Sequence, residues 1–347
     1  MGEPKRRCRM MANFVIALLI VASDIVGAFV HRPRLENKLS HHRSSVPGSC
    51  LFAAGGAPQY EKLDAVLQEA KFLGEGTVIL HIDTLGKSIE YKPGHVLALE
   101  IEGDSTTVVE TKTTQDMADN GGWMRGPYTV SRATETSFDV LIKVVGEKSK
   151  RFASAQPGTA LRFGGKFKVP IIEGVKGNDV DRVVFISTGV GAGPCVGAIE
   201  TALTKKSPFP PIQLVASYRH NAEVLYKDHL DALSMEYPES FVWTPIVTSE
   251  VGRVSANEEN LKSITLSPFG EACCLGATHY HLIGNGQLVN EFKAGLAKAG
   301  VPDERVTTES YFNHQAPVSD EVVGRIAEAV LSASSSTSKK VSPASNS

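Results

Sequence analysis

The stretch Val183-Val184-Phe185-Ile186-Ser187-Thr188-Gly189-Val190-Gly191-Ala192-Gly193-Pro194 decides the fold of this chain. Its apolar first half is typical of a buried strand, and glycines follow where that strand ends. Glycines there let the backbone turn tightly and expose its N–H groups, while a helix starting near Cys195 would point its positive end at the same place. The stretch predicts a site for a nucleotide phosphate; an ordinary tight turn is the alternative.

Beyond Val183 the sequence alternates between short apolar runs and helical patterns. The predicted strands are 183–187, 212–217, 241–247 and 279–283, and the predicted helices are 195–205, 222–235 and 286–299. This alternation favours a parallel sheet with crossover helices, whose ligands bind beyond the carboxyl ends of the strands. The glycine turn, Arg219, Ser249 and Gly284-Asn285-Gly286 all fall at such ends.

The preceding part of the chain, from Lys71 to Phe163, has a different rhythm. Runs rich in β-formers, such as 77–82 and 138–145, alternate with Gly and Pro turns. This pattern predicts a small antiparallel barrel. The polar stretch Gly103 to Gly122 predicts a long loop within it.

One segment of that barrel, Met124 to Arg132, combines a cation, an aromatic ring and two hydroxyls. An extended strand would place Tyr128 and Val130 on one side and Thr129 and Ser131 on the other. Tyr128 could then stack on a ring and Thr129 could hydrogen-bond the polar edge of that ring. Arg125 could pair with a phosphate. The alternative is an edge strand with an exposed arginine.

Taken in sequence order, these segments resemble the ferredoxin–NADP reductase superfamily over residues 60 to 315. The similar motifs are Tyr91–Leu97, Arg125 with Tyr128-Thr129, Gln156–Thr159 with Phe163–Phe167, the glycine turn, Tyr218–Asp228, Tyr280–Gly286 and Glu309–Phe312. The resemblance implies an antiparallel flavin-binding barrel followed by a doubly wound parallel-sheet nucleotide-binding domain. We place the barrel domain at 59–170 and the nucleotide-binding domain at 171–316.

The same resemblance implies a flavin-dependent oxidoreductase that transfers a hydride between NAD(P)H and bound FAD, or FMN. Electrons would pass onward to a carrier such as ferredoxin. The catalytic residues it implies are Thr129, Glu309 and Tyr311. The cofactor-binding residues it implies are Arg125, Tyr128, Thr129, Val130, Ser131, Thr188, Gly189, Gly191, Gly193, Pro194, Arg219, Ser249, Arg253, Gly284 and Asn285.

Three departures from the family pattern support a competing hypothesis. Arg125 and Tyr128 are separated by three positions where the family has two, and Ile283 stands where many members carry a cysteine. Residues 148–154 match the flavin-phosphate loop poorly. The competing hypothesis is a binding module that keeps a flavin or dinucleotide without turnover, as a redox sensor or plastid complex subunit.

The choice between NADP and NAD depends on the residues after the predicted strand 241–247. Family members that use NADPH commonly have Ser-Arg here, whereas this chain has Ser249-Glu250. The carboxylate of Glu250 would repel a 2′-phosphate, which favours NADH. Arg219 and Arg253 could neutralise that phosphate, so we predict NADPH.

The termini read as extensions of a two-domain chain of 347 residues. A basic start followed by the apolar stretch Phe14 to Ala22 predicts a signal peptide at 1–28. The Arg- and Ser-rich stretch that follows predicts a transit peptide or linker at 29–58. Together they resemble the bipartite presequence of algae with secondary plastids, which predicts the plastid stroma; a secretory leader with a disordered linker is the alternative. At the other end, 317–347 is predicted to form a helix after Ser319 and a disordered tail from Ser332.

Charge and cysteine usage exclude several other classes. The first 50 residues carry eight Lys or Arg and three Asp or Glu, so the remainder has a net charge of −7 against −2 for the whole chain. A general nucleic-acid binder is not expected from an acidic domain. Cys195, Cys273 and Cys274 form neither a disulfide pattern nor a zinc pattern. His279 and His281 lack a third ligand, so no metal site is predicted, and the apolar leader is too short to predict stable membrane insertion.

Overall fold

The computed structural model describes residues 60–103, 121–175, 179–205, 209–266, 268–269, 276–312, 315 and 317–335. The predicted presequence, most of the Gly103–Gly122 loop, Cys273, Cys274 and the tail after Ser335 lie outside these residues. The barrel and the sheet described below belong to one compact unit. No helix in the described part of the chain is long and apolar enough to span a membrane.

The first domain is the predicted antiparallel barrel. Its strands are β1 (Leu63–Phe72), β2 (Thr77–Asp83), β3 (Val96–Glu102), β4 (Trp123–Ala133), β5 (Ser137–Lys143) and β6 (Ala160–Gly164). They close in the order β1-β2-β5-β4-β3-β6. In β2, the side chains of Val78, Leu80 and Ile82 are fully buried and alternate with more exposed ones, as a period of two requires.

Most of the stretch 148–154, which matches the flavin-phosphate loop poorly, is helical. Helix α1 (Glu147–Ala153) begins at Gly146, whose N–H donates to the hydroxyl of Ser149. Phe152 is fully buried in the barrel core. Burial of this ring anchors the short helix to the barrel, a contribution that the local sequence pattern does not reveal.

The second domain is a five-stranded parallel sheet. Its strands are β7 (Arg182–Thr188), β8 (Ile212–Tyr218), β9 (Phe241–Val247), β10 (Thr278–Asn285) and β11 (Val306–Phe312), in the order β11-β10-β7-β8-β9. The helices are α2 (Ile171–Gly174), α3 (Ala192–Leu203), α4 (Lys227–Glu236), α5 (Thr248–Val251), α6 (Glu258–Thr265), α7 (Gly286–Lys298) and α8 (Asp320–Ser335). Separate apolar clusters cover the two faces of the sheet, which confirms the doubly wound prediction.

Two helices begin away from their predicted starts. α3 begins at Ala192, three residues early, because the glycine turn itself forms a 3-10 turn that leads into it. α4 begins at Lys227, five residues late. Tyr226 before it has a left-handed backbone with φ 57°, which interrupts any helix through 222–226.

Helix α8 packs on the sheet domain as its apolar stripe predicted. Ile326 and Val330 are buried against α6 and α7. A Cβ on Gly295 of α7 would overlap Ile326, so this glycine allows the close approach. The helix runs to Ser335, four residues into the stretch that we expected to be disordered.

Candidate active site

The barrel and the sheet meet at a cluster of three side chains, Thr129, Glu309 and Tyr311. The hydroxyl of Thr129 on β4 donates a hydrogen bond to a carboxylate oxygen of Glu309 on β11. Tyr311, two positions further along β11, lies on the same face of the strand as Glu309. All three predicted catalytic residues are therefore together, although 180 positions separate the first two.

The surroundings of this cluster favour the protonated form of Glu309. Burial raises the pKa of the Glu309 carboxyl, and only Lys168 and the Thr129 hydroxyl act in the opposite direction. Burial likewise raises the pKa of Tyr311 well above its usual range. A buried carboxylic acid beside a hydroxyl can hold or release a proton at this point.

In the glycine turn after β7, one glycine borders open space and two pack closely against neighbouring strands. Gly189 has φ 51°, and a Cβ there would meet no atom within 4 Å. A Cβ on Gly191 would lie 3.0 Å from the Ile283 carbonyl oxygen, and one on Gly193 would lie 2.6 Å from the Ser131 hydroxyl. The backbone at Gly189 is thus accessible to a phosphate, whereas Gly191 and Gly193 allow close contact with β10 and β4.

The turns after β7 and β10 are joined directly. The Thr188 hydroxyl accepts the Asn285 N–H at 2.7 Å. Gly284 has φ 123°, and a Cβ there would overlap Thr188. Pro194 occupies the first turn of α3, where a missing N–H costs no helical hydrogen bond. These contacts fix the edge beside Gly189.

The residues predicted to bind the 2′-phosphate of NADPH follow the carboxyl ends of β8 and β9. Arg219, Ser249 and Arg253 are all exposed. The backbone N–H of Ser249 donates to the Arg219 carbonyl at 3.1 Å, which holds the two turns together. Glu250 is exposed at the same edge. The structure brings these residues to one edge of the sheet.

On the barrel side, the strand alternation in β4 separates the predicted flavin residues. Tyr128 is half-buried, with its ring edge-on to Phe152 at a centroid distance of 5.4 Å. Thr129 lies on the opposite face of β4, toward Glu309. Arg125 lies on the same face of β4 as Thr129 and is exposed.

The side chains of two predicted cofactor-binding residues of β4 are packed within the protein. The Val130 side chain is fully buried in the barrel core, and its backbone groups bond His95 and Gly94. Ser131 is 1% exposed and packs against α3. In this structure Val130 closes the barrel and Ser131 supports the contact between the domains, and their predicted role in cofactor binding stays a prediction.

Within the residues that the structure describes, no exposed thiol stands in place of the family cysteine. Ile283 is fully buried beneath Gly191. Cys195 in α3 is also fully buried, and burial raises the pKa of its thiol, with Glu309 adding to the effect. A buried neutral thiol is a poor nucleophile.

A cluster of charged side chains between the domains was not predicted from the sequence. Arg132 of β4 makes two hydrogen bonds to Glu200 of α3, at 2.7 and 2.6 Å, and His229 of α4 adds a third to Glu200 at 2.6 Å. We call these three residues the interdomain clasp. Arg132 stood in the motif of β4, but nothing in the sequence pointed to Glu200 as its partner.

The clasp borders a cavity of about 330 Å³ between β4, β5 and α3. Arg132 and Glu200 line it together with His81 and Asp139. None of the lining residues belongs to the Thr129–Glu309–Tyr311 cluster. Among the described residues, no group of three potential ligands could hold a metal ion.

Comparisons with known proteins agree with this architecture. Residues 185–292 match the family model described as the oxidoreductase NAD-binding domain. A search of curated proteins finds no match. The flavohemoglobin from Malassezia yamatoensis, with bound FAD and heme, superposes with a TM-score of 0.57 at 18% identity. That match covers 72% of this chain and 60% of the flavohemoglobin, so the chain spans less than two thirds of that relative.

Two further structures match over nearly their whole length. A ferredoxin NADP+ reductase from Neisseria gonorrhoeae, with bound FAD and NADP, has a TM-score of 0.55 at 18% identity, covering 72% of this chain and 99% of that one. The fold is that of the ferredoxin–NADP reductases. The cytochrome b5 reductase domain of Ulva prolifera nitrate reductase has a TM-score of 0.52 at 16% identity, covering 72% and 97%.

Proposed function

We propose that this protein is a flavin-dependent NAD(P)H oxidoreductase, with FAD on the barrel and the dinucleotide at the carboxyl edge of the sheet. The observation that carries the proposal is the hydrogen bond between Thr129 of the barrel and buried Glu309 of the sheet, with Tyr311 beside them. It joins the predicted flavin strand to the predicted nicotinamide strand at one point. The match of 185–292 to an oxidoreductase NAD-binding domain supports the second half of the site.

The residues present fit both cofactors. At Gly189 the backbone has a positive φ and borders open space, so a pyrophosphate could approach it next to the start of α3. The outward face of β4 presents Arg125 and Thr129, and Tyr128 presents a half-buried ring. Bound flavin supplies the hydride and electron chemistry. Thr129 would orient the polar edge of the ring, Glu309 would hold a proton beside it, and Tyr311 would cover the nicotinamide position.

Anaerobic absorbance spectroscopy of the purified protein tests the proposal. We expect flavin absorbance bands that bleach when NADPH or NADH is added. Glu309→Gln should bind flavin equally and bleach more slowly, because it cannot exchange a carboxyl proton. A protein that recruits no flavin would instead favour the non-catalytic binding module.

We infer that NADPH is the preferred donor, through Ser249 with Arg219 or Arg253. Hydrogen bonds to a charged group contribute about 1.5–3 kcal/mol, so removing both cations should raise the KM for NADPH by roughly ten-fold or more. In an Arg219→Ala/Arg253→Ala variant, the KM for NADH should not change. Lys262→Ala removes an exposed cation of α6 and serves as the control for net charge. If the wild type clearly prefers NADH, we would infer instead that the Glu250 carboxylate accepts a hydrogen bond from a ribose hydroxyl of NADH.

We also propose ferredoxin or another small carrier as the acceptor, and the plastid stroma as the location. The first rests on the resemblance, and the second rests on the predicted signal peptide at 1–28 and the predicted basic, Ser-rich transit peptide at 29–58. The net charge of −7 outside the first 50 residues offers no general attraction to an acidic ferredoxin. Docking would depend on local cations.

A further inference from the structure

The contact between β4 and α3 connects the two halves of the candidate active site. β4 carries Thr129 on the barrel side, and α3 follows the glycine turn in which Gly189 borders open space. Gly193 and Gly197 lie four positions apart, so they share one side of the helix. A Cβ on Gly193 would lie 2.6 Å from the Ser131 hydroxyl, and one on Gly197 would overlap the Ser131 carbonyl oxygen. These two glycines therefore let the helix lie directly on the strand.

The interdomain clasp closes the far end of this contact. Glu200 follows Gly193 by seven positions, which is about two turns along the same side of α3. There Arg132 donates two hydrogen bonds to Glu200, from Nε to Oε2 at 2.7 Å and from Nη2 to Oε1 at 2.6 Å. A two-point contact between a guanidinium and a carboxylate fixes their orientation as well as their distance. Arg132 therefore determines how α3 lies against β4.

Neighbouring groups hold the clasp in place. The Arg132 guanidinium lies 4.9 Å from the centre of the Tyr226 ring, just before α4, and His229 of α4 contacts Glu200 at 2.6 Å. Burial alone would raise the pKa of the Glu200 carboxyl, but its contacts with Arg132 and His229 outweigh burial and lower that pKa. Glu200 is therefore ionised at neutral pH. The Arg132 and Glu200 side chains are 31% and 27% exposed, so water screens their attraction only in part.

The spacing of β4 and α3 bears on the proposed hydride transfer. β4 would orient the flavin ring through Thr129, and the turn before α3 would hold the dinucleotide at Gly189. Reacting atoms have to approach to about 3–3.5 Å, and a misplacement of about 1 Å caused far from the chemistry can slow a reaction about 100-fold. Arg132 follows Thr129 by three positions on β4, and Glu200 lies in the helix that Gly189 leads into. A change at the clasp therefore acts on both cofactor positions.

We propose that Arg132, acting through Glu200, is a positioning residue that sets the separation of flavin and nicotinamide and thereby the rate of hydride transfer. This inference rests on the proposed function. Neither residue belongs to the Thr129–Glu309–Tyr311 cluster or to the residues predicted to bind flavin or dinucleotide. Loss of the clasp should therefore slow the transfer without weakening the binding of either cofactor.

Stopped-flow bleaching of the flavin by saturating NADPH or NADH measures this rate. We expect Arg132→Gln to slow bleaching by about ten-fold or more, with unchanged flavin content and unchanged apparent Kd for the nucleotide. Arg132→Lys keeps the charge but not the two-point contact, so its rate should lie between the two. Arg162→Gln removes an arginine of β6 whose partner, Asp64, also belongs to the barrel, and it should keep the wild-type rate. A merely structural clasp would instead lower the stability of Arg132→Gln and leave the bleaching rate of the folded protein unchanged.

The infrared carbonyl stretch of Glu309 gives a second readout, which needs neither cofactor. Its frequency reports the hydrogen bond from Thr129 across the two domains, and Glu309→Gln assigns the band. We expect the band to shift in Arg132→Gln and to stay at its wild-type position in Arg162→Gln. A wild-type protein whose flavin never bleaches would refute the proposed function. In a protein that does bleach, a wild-type rate or an unshifted band in Arg132→Gln would overturn the positioning role alone.

Discussion

At the scale of single residues, the glycines of the turn after β7 have different tasks. Gly189→Ala should fold, with a cost of about 1–2 kcal/mol for its left-handed backbone, and should raise the KM for NADPH because its methyl group occupies the open space. Gly300→Ala is the control, since Gly300 also has positive φ and no neighbour within 4 Å but lies just after α7. Steady-state kinetics with urea unfolding compares them. If the two variants have the same KM, the phosphate does not approach Gly189.

At the scale of elements, the contact of α3 with β4 sets the distance between the domains. A Cβ on Gly197 would overlap the Ser131 carbonyl oxygen, so Gly197→Ala should destabilise the fold by about 1–3 kcal/mol or more. In Gly324→Ala of α8 the nearest atom to the new methyl group is the Lys298 ammonium at 3.7 Å, and helix propensity alone should stabilise it by about 0.5–1 kcal/mol. Urea unfolding measures both variants. A stabilised Gly197→Ala would show that the helix can withdraw from the barrel without cost.

At the scale of the whole molecule, stability should fall as the pH is lowered from about 6.5. His279 and His281 have folded-state pKa values of about 4 and about 3, below the ordinary value of 6.5. The unfolded chain therefore binds more protons in this window, which favours unfolding as pH falls. Each unit of pKa difference corresponds to about 1.4 kcal/mol, so the pair should contribute several kcal/mol of pH dependence. The raised pKa of Glu309 acts in the opposite direction.

A double variant, His279→Gln/His281→Gln, isolates this contribution. Urea unfolding between pH 7 and pH 4 should give a flatter dependence for the variant than for the wild type. His220→Gln changes an exposed histidine outside the interdomain clasp and controls for the loss of one titratable ring. Parallel curves for the wild type and the double variant would mean that the two rings remain hydrated in the folded state.

The sequence by itself determined the two domains, the four predicted strands of the sheet and the turn that follows β7. Strand periodicity and glycine chemistry are local, so each could be inferred from neighbours in the chain. Tertiary structure decided three other features. They are the contact of Thr129 with Glu309, the open space beside Gly189 but not Gly191, and the pairing of Arg132 with Glu200. The burial of Val130 and Ser131 was decided in the same way. So was the contact of the Thr307 hydroxyl with both His279 and His281. These features depend on which faces of distant elements come into contact, and that is set by packing of the whole chain rather than by local pattern.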